Sequence, residues 1–128
     1  MKERDWLNLT QMILRAADGG GMKLCASCEV IHELYYMSIK LGIDMETLLS
    51  KVAALISINM DWIPETVEIS LTAMTLMLEY DLSSIFDAYY AATALLSDPD
   101  RTVISTDSIY GRIPGIKRKD PREVAELL

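Results

Sequence analysis

Residues 83–94 read SSIFDAYYAATA, and their spacing predicts an amphipathic helix that carries a carboxylate on its small-residue face. Asp87 lies on the same side of this helix as Ala91 and Ala94, a stripe suited to pressing against a sheet. A charge placed there is costly unless something neutralises it. We therefore expect Asp87 to be a functional residue, and a divalent cation would supply the opposite charge.

Amphipathic helices and short apolar strands alternate on both sides of this segment. Apolar residues at helical spacing predict four earlier helices and one at the carboxyl end, and their predicted starts are Trp6, Ser27, Asp44, Glu65 and Pro121. In the fourth helix the predicted core stripe is Val67, Leu71, Met74 and Leu78. Short strands are predicted at 22–26, 57–63 and 102–105, and 111–119 is predicted as a loop with at most a short edge strand. This order predicts an α/β fold, with a parallel sheet covered by helices.

The composition is that of one folded domain. The 128 residues are 51% apolar, which excludes disorder and allows a real core, so we expect a single domain over residues 1–128. No apolar run approaches the roughly 18 residues that a membrane span needs, and the first residues contain no apolar signal region. We therefore expect a soluble, cytoplasmic protein without membrane contact.

Charge is distributed unevenly along the chain. The net charge of −7 argues against broad, nonspecific binding of nucleic acid, and residues 1–100 alone have a balance of −9. Residues 101–128 have a balance of +2. Their basic side chains are those of Arg112, Lys117, Arg118, Lys119 and Arg122. This segment is either a local contact for phosphates or a solvated tail, and the sequence leaves both interpretations open.

Cys25 and Cys28 form a C-x-x-C pattern at a predicted junction of strand and helix, where a thioredoxin-like redox motif would lie. Against that interpretation, Cys25 falls within the strand. A zinc site of the two cysteines and His32 lacks a fourth ligand. We expect both cysteines to be small packing residues and His32 to be an ordinary surface residue, and a thiol oxidoreductase is the least favoured function.

Several motifs in sequence order resemble the PIN domain, in particular its small prokaryotic VapC-like type. The resemblance covers nearly the whole chain and rests on SCEVIHEL at 27–34, FDAYYAATA at 86–94, VISTD at 103–107, IPGI at 113–116 and Asp120-Pro121. It implies a three-layer sandwich in which helices flank a short parallel sheet.

The resemblance also implies a function. Members of this type are metal-dependent ribonucleases, often the toxin of a toxin–antitoxin pair and usually dimeric. The family's acids correspond to Glu33, Asp87 and Asp107, which would bind Mg²⁺ or Mn²⁺, and Ser105 would help to orient the site. The expected partners are RNA, an antitoxin protein and a second copy of the chain.

The beginning of the chain departs from the family pattern. The family opens with a central strand that ends in its first acid, whereas here Met1 stands almost at the first helix. Asp5 does not replace that acid, because it lies on the helix. The sequence is therefore that of a chain starting late relative to a longer product, or of a degenerate member. The alternative function is accordingly a noncatalytic PIN-like interaction module.

Each acid also has a purely structural interpretation. Asp87 could complete a capping box with Ser84, Asp107 could cap a short turn, and Glu33 could belong to a solvated stripe with Glu29. The motif order favours the functional interpretation for all three acids.

Overall fold

The computed structural model describes residues 3–128, apart from the side chains of residues 3, 4 and 6, so the predicted packing of Trp6 lies outside the described residues. The helices are α1 (Glu3–Asp18), α2 (Glu29–Leu41), α3 (Met45–Ile56), α4 (Val67–Tyr80), α5 (Ile85–Ser97) and α6 (Pro121–Glu126), with a short 3₁₀ helix at Ser108–Arg112. The strands are β1 (Cys25–Ser27), β2 (Asp61–Ile63), β3 (Thr102–Ile104) and β4 (Lys117–Lys119).

Several helix ends lie where nearby residues in the sequence predicted them. The Asp44 carboxylate accepts a 2.7 Å hydrogen bond from the Thr47 amide at the start of α3, and Gly42 ends α2 with a left-handed φ of 70°. Pro121 opens α6, as expected for a residue without an amide hydrogen.

Two predicted helix starts were wrong by a few residues. The N-cap of α2 is Cys28, although the Ser27 hydroxyl still accepts a hydrogen bond from the Glu29 amide. Helix α4 begins at Val67, because the Thr66 hydroxyl accepts a hydrogen bond from the Ile69 amide and caps the helix there. Glu65 therefore lies in the loop before α4, and its backbone is not helical.

The strands form two parallel pairs in the described part of the chain. Strand β1 pairs with β2 in the register Cys25 to Asp61, and β3 pairs with β4 in the register Thr102 to Lys117. The α/β prediction is confirmed, with helices flanking a short parallel sheet. Each strand is three residues long, shorter than predicted, and β4 occupies the segment for which at most an edge strand was expected.

Small residues let the helices approach each other closely around the sheets. Helix α5 contacts both β1 and β3 and packs most extensively on α4, while α1 packs on α6. Ala91 and Ala94 of the predicted stripe are buried, as are Ala88 and Ala92, although the main neighbour of α5 is α4 rather than a strand. The core around them contains Ile69, Ala73, Leu76, Leu82, Tyr110, Ile113 and Ile116.

The predicted core stripe of α4 was wrong. Val67, Leu71, Met74 and Leu78 are 60–86% exposed and form one continuous outer face. Helix α4 is apolar on both sides, and the face that is buried carries Ala73, whose small side chain allows contact with the alanines of α5. Across the residues described, no helix has both the length and the apolar character needed to cross a membrane.

Candidate acidic site

A cavity of about 770 Å³ separates the two strand pairs. Strands β1 and β3 both line it, α5 contributes one face, and side chains of α1 and α6 contribute others. Several polar side chains line the cavity near the carboxyl ends of the strands: Ser27, Glu33, Asp87, Tyr90, Ser105, Tyr110 and Lys119. In parallel sheets this edge is where ligand sites form.

Two of the predicted acids face this cavity, and each is held by a tyrosine. Glu33 of α2 accepts a 2.8 Å hydrogen bond from the Tyr90 hydroxyl, and Asp87 of α5 accepts a 3.1 Å hydrogen bond from the Tyr110 hydroxyl. Both carboxylates are half-buried, and among the described side chains neither has an ion-pair partner within 4.0 Å. The structure thus joins residues that are 54 positions apart in sequence into one acidic pocket.

The tyrosines act as neutral donors in this pocket. Burial, followed by the hydrogen bond and charge of Glu33, raises the pKa of Tyr90 far above its ordinary value. Burial and the charge of Asp87 do the same to the pKa of Tyr110, with further contributions from Asp107 and Glu33. All three predicted acids therefore act electrostatically on the Tyr110 hydroxyl. Tyr110 was not predicted from the sequence, whereas Tyr90 follows Asp87 by three residues and so shares its helical face.

Asp107 lies apart from the other two acids. It is exposed and is not part of the cavity lining; its carboxylate accepts a 3.0 Å hydrogen bond from the Ile109 amide and so caps the 3₁₀ helix. Ser105 lines the cavity, and its hydroxyl accepts a 3.0 Å hydrogen bond from the Asp107 amide. Among the described residues, Glu33, Asp87 and Asp107 do not form a group with ligand atoms mutually within 4.8 Å.

The pocket has the donor chemistry of a site for a hard divalent cation. Glu33 and Asp87 offer carboxylate oxygens, the ligand type that Mg²⁺ and Mn²⁺ prefer. Each carboxylate accepts a hydrogen bond from a neutral hydroxyl and not from a cation, although Lys23 and Lys119 line the same cavity. Both carboxylates line a cavity large enough to admit an ion with its water ligands.

A second acidic group lies one helical turn from Glu33. Ligand atoms of Glu29, His32 and Glu65 all lie within 4.8 Å of one another, and His32 Nδ1 is 3.1 Å from Glu29 Oε1. Imidazole and carboxylate together form a donor set that binds divalent metals. Sequence analysis treated His32 as a surface residue and missed Glu65, because Glu65 reaches α2 only through the loop that precedes α4.

The contact between Glu65 and Glu29 in the second acidic group should make the stability of the protein depend on pH. Burial raises the pKa of Glu65, and the hydrogen bond and charge of Glu29 raise it further. Protonated Glu65 therefore stabilises the fold below pH 4.5, and this stabilisation is lost as the pH rises through the raised pKa. We expect Glu65→Gln to unfold at pH 7.5 with a free energy about 0.3 kcal/mol higher than wild type, and so to melt at a higher temperature, because it removes the repulsion between Glu65 and Glu29. The gain should vanish at pH 4 in thermal melts.

The control for that prediction is Glu68→Gln, which removes an exposed charge from the first turn of α4, where a carboxylate is favourable. It should lower the melting temperature at pH 7.5. An equal rise in both variants would show that net charge, and not the contact with Glu29, sets the effect.

The cysteines do not have the properties of a redox motif. Cys25 is the first residue of β1, as predicted, and its side chain is exposed rather than buried, whereas Cys28 is partly buried. Burial raises the pKa of both thiols, and nearby carboxylates raise it further. A reactive cysteine needs a lowered pKa, so the structure disfavours a thiol oxidoreductase.

Arg118 and Arg122 of the basic segment are engaged within the protein. Arg122 forms a two-pronged contact with the Asp120 carboxylate, with both N–O distances 2.9 Å, and the pKa of Asp120 is lowered to about 2 by this contact. Arg118 donates a 3.0 Å hydrogen bond to the Ser105 carbonyl. Lys119 differs from them, because it is exposed and lines the cavity beside the acids.

Comparison with known proteins identifies a family for most of the chain. The sequence model of the PIN domain family matches residues 8–116. No curated protein and no solved structure matches the chain.

Proposed function

Because this chain belongs to the PIN domain family, we propose that it is a metal-dependent ribonuclease that hydrolyses RNA phosphodiester bonds. The family gives the chain a nuclease-like fold. The observation that carries the proposal is the pairing of Glu33 and Asp87, two carboxylates from different helices, in one cavity at the carboxyl edge of the strands. Two negative charges in one cavity repel each other, and a bound cation would offset that cost.

In this proposal Glu33, Asp87 and Asp107 bind Mg²⁺ or Mn²⁺. The bound ion would polarise the phosphodiester and lower the pKa of the attacking water. Tyr90 and Tyr110 hold the Glu33 and Asp87 carboxylates in position by donating hydrogen bonds. Ser105 fixes the backbone of Asp107 through its hydroxyl, which is the orienting role expected of it.

The direct test is hydrolysis of a fluorescently labelled RNA by the purified protein. We expect cleavage with Mn²⁺ or Mg²⁺ and none with EDTA, because the carboxylates alone supply no counter-charge for the phosphate. Cleavage that persists unchanged in EDTA would refute the metal mechanism.

Lys119 is the residue placed to contact the RNA backbone. Its exposed side chain lines the cavity beside the acids, so we expect Lys119→Ala to weaken RNA binding about three- to tenfold and to reduce the salt dependence of binding. The measurement is fluorescence anisotropy with labelled RNA at several salt concentrations, in Ca²⁺.

The matched control for Lys119 is Lys117→Ala. Lys117 lies two residues earlier on β4, is also exposed, and is not part of the cavity lining. The Lys117→Ala variant should bind RNA as tightly as wild type. An equal loss in both variants would assign binding to general charge and not to this cavity.

A noncatalytic interaction module is the second candidate function. The observation that favours it is the position of Asp107, which is exposed and caps the 3₁₀ helix rather than joining the other acids. This function predicts metal binding without RNA hydrolysis, and Mn²⁺ titration followed by calorimetry beside the cleavage assay separates the two candidates.

We also propose that the chain forms a homodimer through α4, and that an antitoxin protein is a further partner. Supporting the dimer, Val67, Leu71, Met74 and Leu78 form an exposed apolar stripe along one side of the helix. Leu71→Glu with Leu78→Glu is expected to give monomers in sedimentation velocity while the circular dichroism stays unchanged. A wild-type chain that sediments as a monomer at high concentration would refute the dimer.

A further inference from the structure

We propose that the second acidic group, Glu29, His32 and Glu65, is a site for one Zn²⁺ ion that joins the start of α2 to the loop before α4. Ligand atoms of the three residues lie within 4.8 Å of one another, and none of the three lines the cavity that contains Glu33 and Asp87. The inference is independent of RNA hydrolysis, because it rests on the geometry and the donor chemistry of these three side chains.

A backbone hydrogen bond brings the two carboxylates of this group together. The Cys28 amide donates a 2.9 Å hydrogen bond to the Ile63 carbonyl, and this bond holds the last residue of β2 against the N-cap of α2. Glu29 follows Cys28 directly, and Glu65 follows Ile63 by two residues. The two carboxylates therefore approach each other from segments that are far apart in the sequence.

His32 adds an imidazole from within α2. Residues 29–32 read EVIH, a Glu-x-x-His sequence, and residues three apart lie on the same side of a helix. Helical proteins with dinuclear iron or manganese centres use this spacing to present a carboxylate and an imidazole inward to the metal. One turn of α2 thus supplies two donors of different chemistry, and the loop before α4 supplies the third.

The spacing of the ligand atoms suits a small ion. Zn–N and Zn–O bonds are about 2.0–2.2 Å long, so the ligand atoms around a tetrahedral ion lie roughly 3.3–3.6 Å apart. His32 Nδ1 is 3.1 Å from Glu29 Oε1, and each pair of ligand atoms in the group is within 4.8 Å. Because His32 and Glu65 are exposed, small rotations of their side chains suffice to place all three donors on one ion.

No lysine or arginine neutralises the two carboxylates in the described structure, where none lies within 4.0 Å of Glu29 or Glu65. Only 14% of the Glu29 side chain is exposed, so water screens its charge poorly. Burial raises the pKa of Glu65, and the hydrogen bond and charge of Glu29 raise it further. A divalent cation would favour the charged form of both carboxylates and offset their repulsion.

The donor set also selects the metal. An imidazole nitrogen suits Zn²⁺ better than Mg²⁺ or Ca²⁺, and two carboxylates without a thiolate are a poor site for Cu⁺. The Cys28 thiol is not part of the group, and burial together with the charge of Glu65 raises its pKa, so it stays protonated. The zinc site considered from the sequence lacked a fourth ligand; here two carboxylates replace its two cysteines, and water takes the open position.

The test is a calorimetric titration of the intact protein with Zn²⁺ in excess Mg²⁺, and we expect one ion per chain. Glu65→Gln and His32→Ala should each weaken Zn²⁺ binding at least about tenfold, because even residues that only orient metal ligands contribute roughly 10–100-fold. The matched control is Glu68→Gln, the same change three residues later at an exposed position outside the group. The control should bind Zn²⁺ as tightly as wild type.

Thermal melts give a second readout, in which the order of two proteins should reverse. In EDTA at pH 7.5 we expect Glu65→Gln to melt above wild type, because it lacks the repulsion by Glu29. Saturating Zn²⁺ should raise the melting temperature of wild type by roughly 5 °C or more, above that of the variant. An unfolded variant could not give this reversal, so lost binding is distinguished from lost structure.

Several results would overturn the proposal. Absence of saturable binding, or unchanged binding in either Glu65→Gln or His32→Ala, would exclude this site. An equal loss in Asp87→Asn would place the ion in the cavity, and an equal loss in Cys28→Ser would make it a thiolate site. One ion per two chains, with a dimer that forms only in Zn²⁺, would assign the ion to a contact between copies.

Discussion

Asp87→Asn is expected to lower metal-dependent RNA cleavage at least about 100-fold, given the proposed ribonuclease activity. Asparagine has nearly the same shape as aspartate, and its amide oxygen still accepts the hydrogen bond from the Tyr110 hydroxyl, so the fold should survive. The substitution removes one of the two negative charges near the carboxyl ends of the strands, and with it an oxygen ligand for the proposed cation. The measurement is the single-turnover cleavage rate in saturating Mn²⁺.

The matched control is Asp100→Asn, which makes the same chemical change on the cavity lining near the opposite ends of the strands. Its cleavage rate should stay within about twofold of wild type, because charges that far from the reacting phosphate are screened by solvent. Equal losses in the two variants would show a general effect of net charge. Undiminished cleavage by Asp87→Asn would remove Asp87 from the metal site.

Ile113→Ala is expected to lower the free energy of unfolding by about 2–5 kcal/mol, the largest stability effect of any single substitution considered. Ile113 is 2% exposed and is the largest side chain that is essentially fully buried in the described structure. It packs in the core cluster with Tyr110, which holds Asp87. Urea denaturation followed by circular dichroism measures the change.

Two further substitutions serve as comparisons for the effect of Ile113→Ala on stability. Ile113→Val removes one methylene and should cost about 1 kcal/mol, whereas Ile39→Ala, at a position 59% exposed, should change stability by less than about 0.5 kcal/mol. If Ile113→Ala cost no more than Ile39→Ala, Ile113 would not be a core residue.

The features that the sequence predicted best are those with a local cause. Asp44, Gly42 and Pro121 mark helix ends through bonds or dihedral angles set within four residues, and all three were predicted correctly. The α/β class and the PIN family also followed from motif order along the chain. The burial of Ala91 and Ala94 in α5 followed from their helical spacing.

The features that sequence failed to predict depend on contacts between distant segments. Helix α4 is apolar on two sides, so its periodicity does not say which side faces the core, and the smaller Ala73 decided it. Glu65 meets Glu29 only because the loop before α4 returns to α2. The hydrogen bond between Tyr90 and Glu33 joins residues 57 positions apart, a distance that no periodic pattern encodes.

The two strand pairs differ in the number of residues that connect their two strands. Between β3 and β4 lie only the 3₁₀ helix and its flanking turns, whereas between β1 and β2 lie both α2 and α3. Closing the shorter loop sacrifices less chain entropy. We therefore expect pairing of β3 with β4 to precede pairing of β1 with β2 during folding, since rates decrease as contacts become less local. The pocket that contains Glu33 and Asp87 would then be assembled late, from a carboxyl-terminal part already in place.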